Sequence, residues 1–422
     1  MKKNVKSILP ALIAAGVMLL AACADSAVQN TQAQKLSASY AAQEKALTFG
    51  KPRRNDYTPL NYAEQKAVWF SYIDVSAMLT GKTEAQFTAA VGDAFDKTCA
   101  LGCNTVYVHV RAFGDAYYAS DLFPWTKSAA GTIGEDPGFD PLSIMIAQAH
   151  DRGLSFHAWI NPMRCETEAN LAKVSETYTL GAWYNDAQKN GTYLVKPAGD
   201  NHLWLNPAYP EVRTLIAAGA AEIVSCYDVD GLNIDDYFYP TTDASFDKAA
   251  FVQTGGQSLT EFRLSNTSLM VQSLYNAVKS ANPKALFGIS PQGNVANNYS
   301  SLYADVKLWC AQPGYADYIT PQVYYGYNTS AAPYADVIAQ WNTMVENSGV
   351  KLVIGLAVYK LGEESEFSDT VGIIGDQIAD AKTLENYGGV ALYNYLNLFA
   401  PTDENAQRVK EELPLISAAL GG

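Results

Sequence analysis

The chain has 422 residues, 48% hydrophobic and 12% aromatic, which suits one large or two ordinary folded domains and argues against disorder. Its 43 acidic residues outweigh 29 basic ones, for a formal net charge of −14. Nucleic acid is thereby an unsuitable partner, because phosphate binding rests on clustered lysine and arginine.

Residues 1–23 read as an export signal. Lys2, Lys3 and Lys6 form a basic start, "LPALIAAGVMLLAA" is an apolar core too short to span a membrane, and "LAAC" ends at Cys23. Small residues before a cysteine resemble the lipobox of bacterial lipoproteins, so Cys23 is the expected lipidation site. A lipid-anchored protein of the outer membrane or cell surface is expected, touching the membrane through that lipid only. Residues 24–65, polar and closing with "KPRRNDYTPLNY", are expected to be a tether. The "CALGC" pair, Cys99 and Cys103, has no second pair to complete a metal set; buried free thiols are expected in preference to a local disulfide.

From residue 66 to about 415, short β-rich runs alternate with helix-length segments. The runs are "AVWFSYI" (67–73), "NTVYVHVR" (104–111), "LSFHAWINP" (154–162), "DGLNIDDY" (230–237), "LFGISPQGN" (286–294), "YADYITPQVYY" (315–325), "KLVIGLAVY" (351–359) and "GVALYNYLN" (389–397). One intervening helix is predicted over 140–153, with Asp140 as N-cap before Pro141 and Gly153 at its C-terminal end. Eight strand–helix units demand parallel pairing, and the expected fold is α/β, a (β/α)8 TIM barrel with long loops after strands 2 and 3. No G-x-G-x-x-G turn follows the first strand, so no dinucleotide cofactor is expected. The two long loops, 113–139 and 165–207, follow strand C-termini. Their Tyr117, Tyr118, Trp125, Trp183, Tyr184 and Trp204 are expected to wall a cleft.

Alternation along each strand predicts which side chains face the barrel axis. With Val106, Val108 and Val110 outside, Tyr107, His109 and Arg111 point in. The same rule turns His157, Trp159 and Asn161 inward, then Asn233 and Asp235, with Asp236 leaving from the rim. Ser290, Gln292, Gln322, Tyr324, Tyr359 and Tyr393 follow. A polar set replaces the branched aliphatics that fill an ordinary barrel. Carboxylates, amides, an arginine and aromatic rings suit a carbohydrate: rings stack on sugars, amides bond hydroxyls, and a carboxylic acid protonates a glycosidic oxygen. Asp235 and Asp236 are the candidate catalytic residues, one of them raising the other's proton affinity. A second carboxylate could instead come from "GEESEFSD", at Glu363, Glu364 or Glu366. No ligand spacing such as H-E-x-x-H suggests a metal, and neither a cofactor nor a protein partner is expected.

The segments "FDPLSIMIAQAHDRGLSFHAWINPMR" (139–164), "WLNPAYPEVR" (204–213), "VDGLNIDDYFYP" (229–240), "ISPQGN" (289–294) and "YITPQVYY" (318–325) resemble the glycosyl-hydrolase-like 10 family, the YngK-type bacterial lipoproteins. The resemblance implies a (β/α)8 glycoside hydrolase acting on an N-acetylated glycan, such as peptidoglycan strands that have lost their stem peptides. It places family motifs on Asp235 and Asp236, on His157, Asn161 and Arg164, and on Gln322 and Tyr324. The fourth strand is more distantly similar to the D-G-x-D-x-D-x-E strand of chitinases. Asn233 stands there for the first inner Asp and Tyr237 for the acid Glu, so Asp236 would have to donate the proton. Expected substrate-binding residues are therefore His109, Arg111, His157, Asn161, Arg164, Gln292, Gln322, Tyr324 and Tyr359. The rival expectation is a lipoprotein that binds glycan in the same cleft without cleaving it.

Overall fold

The computed structural model describes residues 54–421 except 255, 257, 347 and 364. The signal segment, Cys23 and residues 24–53 of the tether lie outside the described residues.

Eight parallel strands close into a barrel: β1 (Gln65–Phe70), β2 (Thr105–Arg111), β3 (Ser155–Ile160), and, after a separate three-stranded excursion, β7 (Gly231–Ile234), β8 (Leu286–Ile289), β9 (Tyr318–Ile319), β10 (Lys351–Ala357) and β11 (Tyr387–Tyr393). The excursion is an antiparallel sheet in the loop after β3, built of β4 (Arg164–Thr167), β5 (Leu194–Val195) and β6 (His202–Leu205), with β6 in the middle. All eight apolar runs became barrel strands, because each carries enough branched and aromatic side chains for a strand buried on both faces. The helix after β2 spans Pro141–His150; Asp140 accepts from the Ser143 N–H and Gly153 takes φ +69°, as its side chains dictate.

Two apolar regions result. The larger lies between strands and helices and includes Val106, Val108, Val110, Phe156, Leu232 and Ile289. The smaller fills the barrel axis and is aromatic: Trp69, Tyr107, Trp159 and Tyr318 with Ala67, Val353 and Ala391. Such rings fit only because neighbouring strands offer glycine. A Cβ on Gly288 would lie 2.0 Å from the Tyr318 ring, and one on Gly231 would lie 2.5 Å from His157 Nδ1.

Two expectations change. Residues 54–64 are not tether but a strap across the N-terminal ends of the strands. Asn55 donates to the Val224 and Tyr227 carbonyls, and Tyr62 to the Gly153 carbonyl. The Tyr57 hydroxyl, the Leu60 N–H and the Phe156 N–H all donate to buried Asp230, at 2.9, 2.5 and 2.6 Å. The polar composition suggested a free segment, but its side chains find one buried carboxylate. Secondly, Tyr117, Tyr118, Trp125, Trp183 and Trp204 are buried within the long loops or against the flank of the barrel. Loops of that length need a core of their own, which these rings supply. Both cysteines of "CALGC" are free thiols as expected, Cys103 buried and Cys99 partly so.

Candidate active site

Asp235 and Asp236 follow immediately on β7, at the C-terminal mouth of the barrel. Their surroundings are opposite in kind. Asp235 is 3% exposed; its Oδ2 accepts from Trp159 Nε1 at 3.0 Å. Burial, followed by the charge of Asp236, pushes its carboxyl up to about 7, against the opposing pull of Arg164. Asp236 is half-buried and both of its oxygens are held: Gln292 Nε2 donates to Oδ2 at 3.1 Å and Gln322 Nε2 to Oδ1 at 3.0 Å. Those amides are themselves oriented, Gln292 by Asn297 (2.5 Å) and Gln322 by the Ser290 carbonyl (3.1 Å). Amide N–H groups can only donate, so this cradle matches a carboxylate that only accepts.

Around the pair stand rings. Beneath, His109 stacks on Trp159, centroids 3.7 Å apart and ring planes nearly parallel. On one side Tyr324, Tyr359 and Tyr393 meet mutually at 5.6–6.0 Å. Burial first, then neighbouring tyrosines and both aspartates, raise the Tyr324 phenol, which keeps it an O–H donor. On the other side Arg164, from β4, lies between the Phe113 and Tyr237 rings, 4.4 and 4.1 Å from their centroids.

The structure thus brings Asp235, Asp236, Arg164, Gln292, Gln322, Tyr324, Tyr359 and His109 to one mouth. Burial, with Arg164 as a second cause, holds His109 well below the usual imidazole range, so it is neutral there. Asn161 closes the turn leading to β4, accepting from the Arg164 N–H at 3.3 Å. His157 lies one layer deeper on β3. Its Nδ1 is 2.7 Å from the Tyr318 hydroxyl, to which Asn233 also donates, and burial lowers the imidazole to about 4. That makes it a neutral core histidine rather than a group at the mouth.

Arg111 is a correction. The β2–β3 register slips between His109 and Arg111, so Arg111 pairs with outward-facing Ile160. The extra residue reverses the phase. Arg111 is buried outside the barrel over the Phe123 ring at 4.2 Å, packed so tightly against the helix Pro210–Cys226 that a Cβ on Gly219 would meet Nη1 at 2.0 Å. The acidic loop after β10 is also committed elsewhere: Glu366 accepts the Tyr327 and Asn328 N–H groups, and Glu363 accepts from Asn405. Glu364 lies outside the described residues. Phe113, Tyr237 and Tyr72, whose ring meets Phe113 edge-on at 4.9 Å, were missed by the alternation rule, since each sits just past a strand end; that position, at the C-terminal face of the barrel, was the usable signal.

The pattern defining the glycosyl hydrolase-like 10 family matches residues 64–371. The chain is 35% identical over 307 residues to the glycosyl hydrolase DigH of Escherichia coli K12, covering 68% of this chain and 69% of that protein. It is 37% identical over 284 residues to the glycosyl hydrolase YngK of Bacillus subtilis 168, covering 62% of this chain and 54% of that one. Among solved structures, the glycoside hydrolase domain of PgaB (BpsB) from Bordetella bronchiseptica superposes with a TM-score of 0.53 at 12% identity, over 82% of this chain and 98% of that one. An endo-1,4-beta-mannanase from Rhizomucor miehei gives 0.52 at 11% identity, over 89% and 97%. At that identity the structural likeness speaks for the barrel fold alone.

Proposed function

The chain belongs to the glycosyl hydrolase-like 10 family and is a glycoside hydrolase; from that premise we propose that Asp235 and Asp236 are its catalytic pair and that an N-acetylated cell-wall glycan is its substrate. The observation that carries this reading is the contrast between two adjacent carboxyl groups, one buried and lifted to about 7, the other clamped by two amides. Titratable neighbours whose environments differ in this way divide acid from anion. Asp235 holds the proton that a leaving glycosidic oxygen needs near neutral pH. Asp236 presents negative charge at the mouth, where the sugar ring gains positive character in the transition state. The Gln292 and Gln322 amides fix it before the substrate arrives, so no reorganisation is needed during reaction. The tyrosines and Trp159 supply ring faces and hydroxyls suited to sugar.

The motifs shared with the family support peptidoglycan strands stripped of stem peptides as the substrate within this class. Release of reducing ends from such strands by D235N and D236N tests the assignment; undiminished turnover in both variants overturns it. We also propose that the barrel is exported and held by a lipid on Cys23. A C23S protein should then appear in the soluble extract of the envelope, and its continued fractionation with membranes would overturn the anchor.

A further inference from the structure

The barrel closes between its first and last strands, and that seam is held in two ways. β1 and β11 pair in register from Gln65↔Gly389 to Val68↔Leu392, where their ladder ends. On its other side β11 keeps pairing as far as Ala357↔Tyr393. Beyond the ladder one chain enters a helix at Tyr72–Leu79 and the other at Tyr395–Phe399.

Asp74, in the first turn of the former helix, joins the two. It is wholly buried, and its oxygens face donors from both chains. Oδ2 accepts from the Ser71 N–H at 2.7 Å, from the Ser71 hydroxyl and from Asn394 Nδ2 at 2.9 Å; Oδ1 accepts from the Leu396 N–H at 2.8 Å. The Ser71 bonds are an ordinary capping box. The other two cross the seam, and they serve a helix whose own N-cap, Asn394, supplies no side-chain cap. Burial raises the carboxyl, while all four hydrogen bonds favour its charged form. Three of the donors are N–H groups that cannot accept in return, so a carboxylate fits where an amide would not.

The residue before Asn394 is Tyr393, whose ring meets Tyr324 and Tyr359 at the mouth. Burial first, then Asp74, Tyr237 and Asp235, hold its phenol above the usual range, so it stays an O–H donor. Past Leu392 the edge of the chain facing β1 has the two bonds to Asp74, and a stack of Phe70 on Tyr395 at 4.6 Å, in place of a ladder.

We propose that Asp74 is a positioning residue for the hydrolytic reaction: it fixes the end of β11 so that the Tyr393 hydroxyl meets the sugar held at Asp235. This rests on the hydrolase reading above. Asp74 itself touches no substrate, being sealed beneath the rim.

A double-mutant cycle in kcat/KM on the stripped strands tests the role. D74N keeps the shape but sets a donor among donors, and Y393F removes the hydroxyl alone; each should cost about 10-fold. The double variant should also lose about 10-fold, where independent effects would multiply to about 100-fold. The melting temperature should fall on D74N by the same amount in either background, since the same seam bonds are lost. N394A leaves the Ser71 box intact and repeats the cycle should D74N not fold, with the same merging of effects expected. Effects that multiply in kcat/KM, or a D74N protein as active as the wild type, overturn the inference. The cycle is also read as binding of the strands to D236N, through the rise in melting temperature. Merged effects on binding with no cleavage by the wild-type chain would leave Asp74 assigned and overturn the hydrolase. Cleavage by the wild-type chain with effects that multiply would overturn the role of Asp74 alone.

Discussion

Replacing Asp235 by Asn removes a titrating group while keeping its shape and an acceptor for Trp159 Nε1. A carboxyl whose pKa rises on folding, here from 3.8 to about 7, holds its proton more tightly in the native state. Native stability therefore falls as pH climbs between those values, and above 7 the full cost of an ionised, buried Asp235 is present. A shift of about three pH units corresponds to roughly 4 kcal/mol at about 1.4 kcal/mol per unit. Residues Pro52–Gly422 form one compact unit. For a unit of that size 4 kcal/mol moves the midpoint by roughly 5 °C. Thermal melts of the two proteins from pH 4 to pH 9 should coincide at pH 4 and diverge steadily, with D235N the more stable at pH 8–9. A difference that does not change with pH, or one in the opposite direction, would show that Asp235 does not titrate near neutrality and would remove the basis for calling it the proton donor.

The remaining predictions concern its neighbours. D236N deletes the like charge that helps raise Asp235, so any residual kcat/KM should lose its alkaline limb at lower pH than the wild-type enzyme; a limb that stays in place refutes the coupling. G288A forces a methyl group against the Tyr318 ring in the barrel axis and should cost about 1–3 kcal/mol in denaturant unfolding. D230A leaves the Tyr57, Leu60 and Phe156 donors without their acceptor. A loss of about 3–5 kcal/mol and faster proteolysis within residues 54–64 are expected, and an unaltered cleavage pattern would mean that the strap is held by something else.

The sequence by itself determined the strands, the barrel and the face on which the candidate site lies. Those features are local: apolar runs of strand length, an Asp-Pro helix start, and long loops placed after strand ends. It also separated Asp235 from Asp236, since alternation continues unbroken through "GLNIDD". Alternation failed at Arg111 because a register slip against β3 is a property of two strands, invisible in either one. It ranked His157 with the mouth because direction along a strand is legible while depth along the barrel is not. Only the tertiary structure sets the two aspartates in opposite environments, because burial under Trp159 and the amides of Gln292 and Gln322 come from three other strand ends. The clamp on Arg164 depends in the same way on Phe113, Tyr237 and Trp204, which lie 51, 73 and 40 residues away in the chain and meet only when β4 pairs with β6.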